Sequence, residues 1–383
     1  MSSLGNRVAP VALAFAVLDL TGSVSDLGVV LAAQTIPLVV FLLAGGVWAD
    51  RLGRRAVMLV SDVVRAASQG MSAVLLLTGS AHLWQLAALQ AVYGAAVAFF
   101  GPASLALVPE TVPADELQQA NATLALSENL TAVIGPAIAG VVVAALSPGW
   151  GLGIDAVTFI GSAACLVAMP VIVAAPRPRT SLIHELRAGW SSFRARAWLW
   201  ITVSCFTLYL GFAWAPWQVL APQVARLSLG GPGAWAAIAV ALGVGSVGGG
   251  LVALRARPRH PLRGPLAMFV IVTPAMIGLL AAHAPLWVII VFALLDGASG
   301  TVFNTLWFTA LQSDVPAAEL ARVSSWDYLG SVALLPIGQA AAGPISAAIG
   351  VSTTLYGAAA ITMVLFAAAL AVPAVRNFSL PAR

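Results

Sequence analysis

The sequence predicts an all-α membrane protein in which twelve transmembrane helices form two pseudo-symmetric six-helix bundles. Three observations predict this fold: the composition, a series of twelve apolar segments, and a motif that repeats between the two halves. Of the 383 residues, 60% are hydrophobic and only 8% are charged, whereas a soluble globular domain carries about 25% charged residues. So few charges cannot cover the surface of a soluble protein of this size, and a lipid bilayer must surround it.

Most of the apolar segments are long enough to span a bilayer, which needs about 20 helical residues. Outer-membrane barrels instead alternate polar and apolar residues over about ten positions, and these segments are longer and unbroken. Several contain proline, which membrane helices tolerate where neighbours satisfy the freed backbone groups. The predicted segments, numbered 1 to 12, are 4–20, 27–49, 56–79, 82–109, 117–146, 151–175, 198–225, 233–254, 265–283, 285–312, 319–347 and 351–373.

The arginines predict which loops face the cytoplasm. All 18 Lys or Arg positions are Arg, and most of them follow segments 2, 6 and 8, whereas the odd-numbered loops together hold only Arg226. The positive-inside rule therefore predicts a multi-pass protein of the cytoplasmic membrane with the even-numbered loops and both termini in the cytoplasm. This distribution also explains the net charge of +4, so we expect no nucleic-acid partner.

One longer polar stretch, 176–197, divides the chain. It begins Pro-rich and then has the pattern of a short amphipathic helix, in which Trp190 and Phe193 recur at helical spacing. We interpret it as a cytoplasmic linker between an N-terminal bundle, 1–175, and a C-terminal bundle, 198–383.

A repeated hexapeptide relates the two halves. Val-Pro-Ala-Asp-Glu-Leu opens segment 5 at 112–117, and Val-Pro-Ala-Ala-Glu-Leu opens segment 11 at 315–320, which is 203 residues later. Parallel six-helix repeats are a transporter architecture in which the substrate path lies between the halves. The same offset relates Trp84 to Trp287, Gly94 to Gly297, Phe100 to Phe303, Gly135 to Gly338 and Gly140 to Gly343.

Several function classes are excluded. Without Lys the chain has neither a Walker A loop nor a Schiff-base residue. Cys165 and Cys205 are distant and lie in apolar segments, so they form neither a disulfide framework nor a zinc motif. The run 243–248 fits a dinucleotide fingerprint, but no strand precedes it, and we interpret it as helix packing. With no nucleophile–base set evident, we expect no enzyme, no cofactor and no metal site.

The loop between segments 2 and 3 carries the strongest motif, Gly-Gly-Val-Trp-Ala-Asp-Arg-Leu-Gly-Arg-Arg at 45–55. It resembles Gly-x-x-x-Asp-Arg-x-Gly-Arg-Arg, motif A of the major facilitator superfamily, and the resemblance implies a cytoplasmic gate. The last Gly permits a tight turn, and the Asp can dock on a helix N-terminus, here that of segment 11. Arg255 and Arg257, near Glu116, are the expected counterpart in the other half. The alternative is an ordinary positively charged loop. The matching residues are Gly46, Asp50, Arg51, Gly53, Arg54 and Arg55.

Segment 5 carries Gly-Pro-Ala-Ile-Ala-Gly at 135–140, which resembles the Gly-Pro-x-x-Gly-Gly antiporter signature, motif C of the same superfamily. Gly135, Pro136 and Gly140 match, whereas Ala139 replaces the first Gly of the final pair. Small residues let helices approach closely, and proline kinks a helix. Generic small-residue packing is the alternative explanation.

Two further stretches, 100–110 and 18–23, look like the drug:proton antiporter branch, which includes macrolide-efflux-type and enterobactin-exporter-type proteins. The resemblance covers nearly the whole chain and implies export of a small molecule, usually coupled to proton entry. It departs from the family at Gln90, where helix 4 of the superfamily has Arg, and at Asn6, where the branch often has an acid. The resemblance therefore does not extend to an Arg-based proton relay in helix 4.

Ionisable residues inside membrane segments are costly and indicate function. At 1.5 Å per residue, Glu128 lies about 22 Å into segment 5, and Asp296 and Asp327 lie about 15 Å into segments 10 and 11. These three carboxylates are the candidates for proton coupling or substrate contact. A satisfied structural network is the alternative for each.

Two other acids have structural explanations. Asp62 is followed by Arg65 at i+3, which is typical of an ion pair on one helix face. Asp155 lies near the predicted outer end of segment 6, where the helix dipole stabilises an acid.

The resemblance implies that helices 1, 4, 7 and 10 surround a substrate cavity. Aromatic walls with few polar groups suit an apolar or amphipathic ligand, although any single aromatic can instead pack against lipid or sit at the membrane interface. Trp214 and Trp217, near the outer end of segment 7, are the expected interfacial pair. The cavity candidates are Tyr93, Phe206, Tyr209, Phe303, Asn304 and Trp307.

The first segment is short. Asn6 and Arg7 interrupt it, and the remaining apolar core from Val8 to Val17 spans about 15 Å, half of the hydrocarbon thickness. The family resemblance places residues 3–5 in mid-helix, so we expect about 15 to 20 further N-terminal residues in the native chain. A short tilted helix, with Arg7 reaching the cytoplasmic face, is the alternative.

We therefore expect a secondary active transporter that exports a small amphipathic molecule or drug by alternating access, in exchange for protons. A siderophore or metabolite exporter is the alternative within this class, and a non-transporting membrane sensor is the alternative outside it. The expected partners are the substrate, protons and the lipid bilayer, and we expect a monomer.

Overall fold

A computed structural model describes residues 2–113, 116–169, 182–256 and 258–379. The described residues contain helices and turns and no strand. Within these ranges side chains are described except at 43–52, 102, 105, 106, 109, 110, 117, 118, 121, 122, 182–186, 188, 317, 318 and 321.

The first six helices follow predicted segments 1 to 6. Gly53 alone separates the second helix from the third, and the sixth helix ends at Ala168, before the predicted boundary at 175. The six are α1 (Ser2–Thr21), α2 (Val24–Leu52), α3 (Arg54–Leu77), α4 (Leu83–Thr111), α5 (Leu117–Ala145) and α6 (Pro148–Ala168).

The remaining helices include two spans that are interrupted near a proline. Segment 7 is divided by a π-helical turn before Pro216, and segment 11 by a turn before Pro336, because proline lacks the N–H that continues an α-helix. The helices are α7 (Leu182–Ala195), α8 (Ala197–Tyr209), the π-helical turn (Leu210–Trp214), α9 (Ala215–Ser228), α10 (Pro232–Arg255), α11 (Arg263–Ala281), α12 (Leu286–Asp314), α13 (Ala317–Val332), α14 (Leu335–Ile349), α15 (Val351–Ala371) and α16 (Pro373–Arg376).

The described helices are long enough to cross a bilayer many times. Eleven stretches of the described chain are both long and apolar enough to do so. α3 has 24 residues, about 36 Å of helix, but its polar residues keep it out of that set. The predicted all-α membrane fold is confirmed, and with α3 the described helices provide twelve spans.

The chain divides into two compact units. Unit 1 comprises Met1–Pro178 and Gly230–Ala237, and unit 2 comprises Arg179–Leu229 and Ile238–Arg383. Within unit 1, α1 packs on α5 and α6, and α3 packs on α4 and α6. Within unit 2, α11 packs on α12 and α15, as α3 packs on α4 and α6. α9 packs on α14, as α1 packs on α5. The order of helix pairing thus repeats as the sequence repeat does.

Two glycines related by the repeat let paired helices approach to backbone contact. Gly94 in α4 lies against the carbonyl of Gln34 in α2, and Gly297 in α12 lies against the carbonyl of Leu242 in α10. A methyl group at either position would overlap that oxygen. Close approach through small residues is how membrane helices gain packing energy without a hydrophobic drive between them.

Candidate functional site

α3 turns polar side chains toward the interior of unit 1 and apolar side chains outward. An apolar face of this kind suits contact with lipid, and the polar groups need partners inside the bundle because a bilayer interior supplies no water to them. The buried positions include Ser61, Asp62, Arg65, Ser68, Gln69 and Ser72, whereas Val60, Val63, Met71 and Val74 are more than half exposed.

A buried ion pair lies at the centre of this face. Arg65 donates from Nη2 to Oδ1 of Asp62 at 2.5 Å, and their side chains are 2% and 0% exposed. The guanidinium also lies over the rings of Phe100 in α4 and Phe159 in α6, at 4.1 and 4.3 Å from the centroids. The pair predicted from the i, i+3 spacing is present, and the two rings add cation–π attraction.

Asp155 lies in the same interior, and its expected placement near the end of segment 6 is wrong. It is seven residues into α6 and 0% exposed. Its Oδ2 accepts a hydrogen bond from Gln69 Nε2 at 2.9 Å, and Gln90 Nε2 donates to Gln69 Oε1 at 3.1 Å. Gln90, which aligns with the superfamily Arg, therefore belongs to a series of hydrogen bonds that leads through Gln69 to Asp155. The positive charge in this interior is that of Arg65 on the neighbouring helix α3.

Tyr93, a predicted cavity residue, is also buried in unit 1. Its hydroxyl donates to Oδ1 of Asn6 in α1 at 3.0 Å, and its ring meets that of Phe159 edge-on at 6.0 Å. Sequence reasoning missed that these residues form one set, although the spacing of the α3 members at i, i+3 and i+7 marks one helix face. We call the set the unit 1 polar core: Asn6, Asp62, Arg65, Gln69, Gln90, Tyr93 and Asp155.

Two of the three predicted coupling carboxylates are buried inside unit 2. Asp296 in α12 is 7% exposed and accepts a hydrogen bond from the Thr273 hydroxyl of α11. Asp327 in α13 is 8% exposed and accepts a hydrogen bond from Trp307 Nε1 at 3.0 Å. Glu128 differs from both, because every residue from 123 to 130 is exposed within this structure.

The predicted cavity aromatics of unit 2 pack on one another. Phe206 stacks on Phe303 at 4.7 Å and meets Tyr209 at 5.9 Å. Phe269 of α11 and Phe366 of α15, which sequence reasoning missed, complete the cluster at 5.6 and 5.1 Å from Phe206. Both lie in helices that the resemblance keeps away from the cavity, so no sequence signal pointed to them.

The remaining aromatic and polar candidates divide between interior and surface. Trp307 continues the stack at 5.6 Å from Phe303, whereas Asn304 is exposed. Trp214 stacks on Trp217 at 4.6 Å. Trp217 is buried, so it does not occupy the interfacial position expected for it.

Motif A provides the turn and a helix cap inside unit 1. Gly53 has a φ of 86°, a backbone conformation that side-chain-bearing residues rarely adopt. Arg55 donates from Nε to the carbonyl of Leu166 at 2.6 Å and from Nη2 to that of Val167 at 2.7 Å. These carbonyls lie in the last turn of α6, where a cation that donates to them also complements the helix dipole. Arg54 is buried beside this turn.

The predicted docking of Asp50 on the N-terminus of segment 11 involves side chains that the structure does not describe. Gly46 lies within α2, but the side chains of Asp50 and Arg51 are outside the described set, and Arg257 is outside the described residues. The docking therefore stays a prediction.

The start of α13 carries an ionic cluster within unit 2. Ser192 donates to Oε2 of Glu319 at 2.5 Å, and Arg196 Nη1 lies 3.9 Å from the same oxygen. Arg196 Nε and Trp198 Nε1 both donate to Oδ2 of Asp314, at 3.1 and 3.0 Å. The cluster ties α7 to the junction of α12 and α13.

Motif C supplies close-packed positions on α5. Gly135 is buried against the Arg7 side chain of α1, and Ala139 is fully buried. Gly140 lies against Ala236, in the part of α10 that belongs to unit 1. Both explanations of this motif require close packing, and that packing is present.

No group of three or more His, Cys, Asp or Glu side chains among the described residues is placed to hold a metal ion. A cavity of about 220 Å³ opens at the end of unit 1 beside Asp19 and the turn at Gly79. It is smaller than ligand pockets, which have volumes of about 300–1,000 Å³.

Comparison with known proteins gives relatives along the whole chain. The chain is 26% identical over 400 residues to the multidrug efflux pump Tap of Mycolicibacterium fortuitum, covering 99% of this chain and 95% of that protein. It is 29% identical over 301 residues to the enterobactin exporter EntS of Escherichia coli, covering 74% of this chain and 68% of that protein.

Solved structures share the fold. A D-xylose-proton symporter matches with a TM-score of 0.73 and 16% identity, covering 99% of this chain and 98% of the other. The nucleoside transporter NupG matches with a TM-score of 0.74 and 13% identity, covering 97% and 96%. Both solved structures are those of transporters.

The family model of the Major Facilitator Superfamily matches residues 1–334. This match agrees with motif A, with the twelve helical spans and with the repeated pairing of helices in the two units. The chain belongs to the major facilitator superfamily and is a multi-pass membrane transporter.

Proposed function

We propose that this transporter exports a small amphipathic molecule from the cell by alternating access, in exchange for protons. The observation that carries the proposal is the alignment with the multidrug efflux pump Tap, which spans nearly the full length of both chains. The fold by itself carries no direction of transport, because a symporter shares it.

Proton exchange is supported by the setting of two carboxylates in unit 2. Among the described residues, the carboxylate of Asp296 accepts its hydrogen bond from a threonine hydroxyl and that of Asp327 from an indole N–H. A carboxyl that has neutral partners in a membrane interior gains by holding a proton and can release it when the site opens to water. We assign proton coupling in unit 2 to these two carboxyl groups.

A second candidate substrate class is a siderophore, supported by the 29% identity to the enterobactin exporter. We propose the same proton exchange for either class, so the two candidates differ only in what the cavity accepts. The exposed Asn304 of α12 is our candidate for substrate contact in either case.

The direct test is uptake into inverted membrane vesicles with an imposed pH gradient, using ethidium and enterobactin as probes. We expect gradient-dependent uptake of ethidium that collapses when the gradient is dissipated. Uptake of enterobactin alone would establish the second candidate. Uptake of neither probe, with the protein correctly inserted, would contradict export of both classes.

Coupling is tested in the same vesicles with Asp296→Asn, Asp327→Asn and the double variant. We expect each to lose gradient-driven uptake, because an amide cannot carry the proton. Asp314→Asn, which changes an acid that is 37% exposed at the end of the helix containing Asp296, is the matched control and should retain uptake. Wild-type uptake in the double variant would place coupling elsewhere.

A further inference from the structure

The unit 1 polar core holds more negative than positive groups. Asp62 and Asp155 are both 0% exposed, and among the described residues of this core the buried cation is Arg65, at 2% exposed. With all three ionised, the core would hold one uncompensated negative charge in the interior of a bundle surrounded by lipid. Burial of an unpaired charge is so unfavourable that a carboxyl neutralises instead.

The guanidinium is committed to Asp62. It donates to that carboxylate at 2.5 Å and lies between the rings of Phe100 and Phe159. The Asp62 carboxylate keeps this ion pair although its Oδ2 has no hydrogen-bond partner among the described residues. The second carboxylate, Asp155, is therefore the one without a cation of its own.

The hydrogen bonds of Asp155 leave one oxygen open. Its Oδ2 accepts from the neutral amide of Gln69, and its Oδ1 has no hydrogen-bond partner among the described residues. The adjacent Thr158 hydroxyl donates to the backbone carbonyl of Asp155 at 2.8 Å, so its proton is already used. The carboxyl group of Asp155 thus has a vacant oxygen and a neutral partner.

The other ionisable groups that face Asp155 leave one negative charge in excess, because the guanidinium of Arg65 attracts both carboxylates but forms its ion pair with Asp62. From α3 they are Asp62 and Arg65, which pair with each other, and from α4 the group is Tyr93, whose hydroxyl proton is donated to Asn6. From α1 the facing residue is Gly5, which has no side chain.

Gly5 of α1 lies directly on the open oxygen. A methyl group at this position would overlap both Oδ1 of Asp155 and Oγ1 of Thr158, so the backbone of α1 packs against the carboxyl. A change in the charge of Oδ1 therefore changes its interaction with the backbone of α1. Separation of α1 from α6 would expose the carboxyl group.

We propose that Asp155 is a proton-binding site of unit 1, in which the Asp62–Arg65 pair is the fixed counter-charge and the packing of Gly5 links proton occupancy to the position of α1. The proposal rests on the proton exchange proposed above. The carboxylate takes one proton from the outer aqueous phase and releases it to the cytoplasm. No other bond is made or broken.

Infrared difference spectroscopy tests proton binding without transport. The full-length protein is placed in liposomes of phosphatidylethanolamine and phosphatidylglycerol, and the carbonyl band of protonated carboxyl groups is followed against pH. We expect a pH-dependent component that is absent from Asp155→Asn and present in Asp296→Asn. An identical set of bands in wild type and Asp155→Asn would overturn the proposal.

Asp62→Asn is a second variant that tests the charge count. With that charge removed, Arg65 becomes the counter-ion of Asp155, so Asp155 should release its proton at lower pH than in the wild type. Release at higher pH, or no change, would contradict the shared counter-charge. Gly5→Ala should move the same component by forcing α1 away from the carboxyl.

Flux in the same liposomes separates this proposal from the proposed function. With ethidium as probe, Asp155→Asn should lose accumulation against an imposed pH gradient, to the level of empty liposomes, while still equilibrating ethidium down its own gradient. Retained gradient-driven accumulation would overturn the role of Asp155 in coupling. If the wild type moves no ethidium, the proposed substrate class fails, and the infrared experiment still decides whether Asp155 binds a proton.

Discussion

At the residue scale, the spacing between helices depends on glycines that face backbone carbonyls. Gly94 lies against the Gln34 carbonyl, whereas a methyl group at Gly101, two turns further along α4, would meet open space. A Gly→Ala substitution at each of the two positions therefore distinguishes the effect of helix packing on stability from the effect of helix propensity.

We expect Gly94→Ala to destabilise the protein by about 1–3 kcal/mol, because the methyl group forces α2 and α4 apart. Gly101→Ala in the same helix should change stability by about 1 kcal/mol or less, and in the stabilising direction. Thermal unfolding in detergent micelles measures both. Equal melting temperatures for the two variants would show that the close approach is not maintained.

The buried ion pair of α3 gives a second prediction at this scale. Arg65→Met leaves the buried Asp62 without a cation and should cost about 3–5 kcal/mol. The double variant Asp62→Leu, Arg65→Met removes both charges and should recover much of that loss. Thermal unfolding of the two single variants and the double variant measures the coupling, and strict additivity would contradict the pairing.

At the element scale, α7 is held to unit 2 by charges that are partly exposed. Arg196 is 19% exposed, and its partners Asp314 and Glu319 are 37% and 41% exposed. Pairs of this kind contribute little individually and are screened by salt. The attachment of α7 is therefore expected to be weak and adjustable.

We expect Arg196→Gln to accelerate tryptic cleavage at Arg187 and Arg194, which lie in α7 and are exposed. High salt should produce the same acceleration in the wild type and little further change in the variant. Limited proteolysis followed by mass spectrometry measures the rates. A wild-type rate that does not depend on salt would contradict an electrostatic attachment.

The motif A turn gives a second prediction at this scale. Asp50→Asn should lower transport and leave membrane insertion intact, because it weakens docking on a helix N-terminus. Asp26→Asn, which changes an acid in the first turn of the same helix, is the control and should transport normally. Vesicle uptake measures both, and normal uptake by Asp50→Asn would remove the gate assignment.

At the scale of the whole molecule, the arginine distribution predicts the orientation in the membrane. Ser80, in the turn between α3 and α4, and Arg259, between α10 and α11, are both exposed. The positive-inside rule places them on opposite sides.

In a background with Cys165 and Cys205 changed to Ala, Ser80→Cys should react with a membrane-impermeant maleimide in right-side-out vesicles. Arg259→Cys should react only in inverted vesicles. Labelling followed by gel shift measures the two reactions. The reverse pattern would invert the predicted topology and with it the direction of proposed export.

The sequence by itself determined the features that depend on local composition. Apolar runs of about 20 residues identify spans because a bilayer has a fixed thickness, and the family motif is one continuous stretch at 45–55. The spacing of Asp62 and Arg65 at i+3 fixes their pairing because both lie on one helix. Asp296 and Asp327 could be identified as candidates from the sequence because each is an acid within a long apolar segment.

Only the tertiary structure decided which distant residues meet. Gln69 and Asp155 are 86 positions apart, and no periodicity in either helix specifies the other as its neighbour. Phe206 belongs to a packed interior because α11 and α15 bring Phe269 and Phe366 to it. The family resemblance had instead implied that its helix lines the substrate cavity. Helical spacing shows which residues share a face, but the packing of helices determines what that face touches.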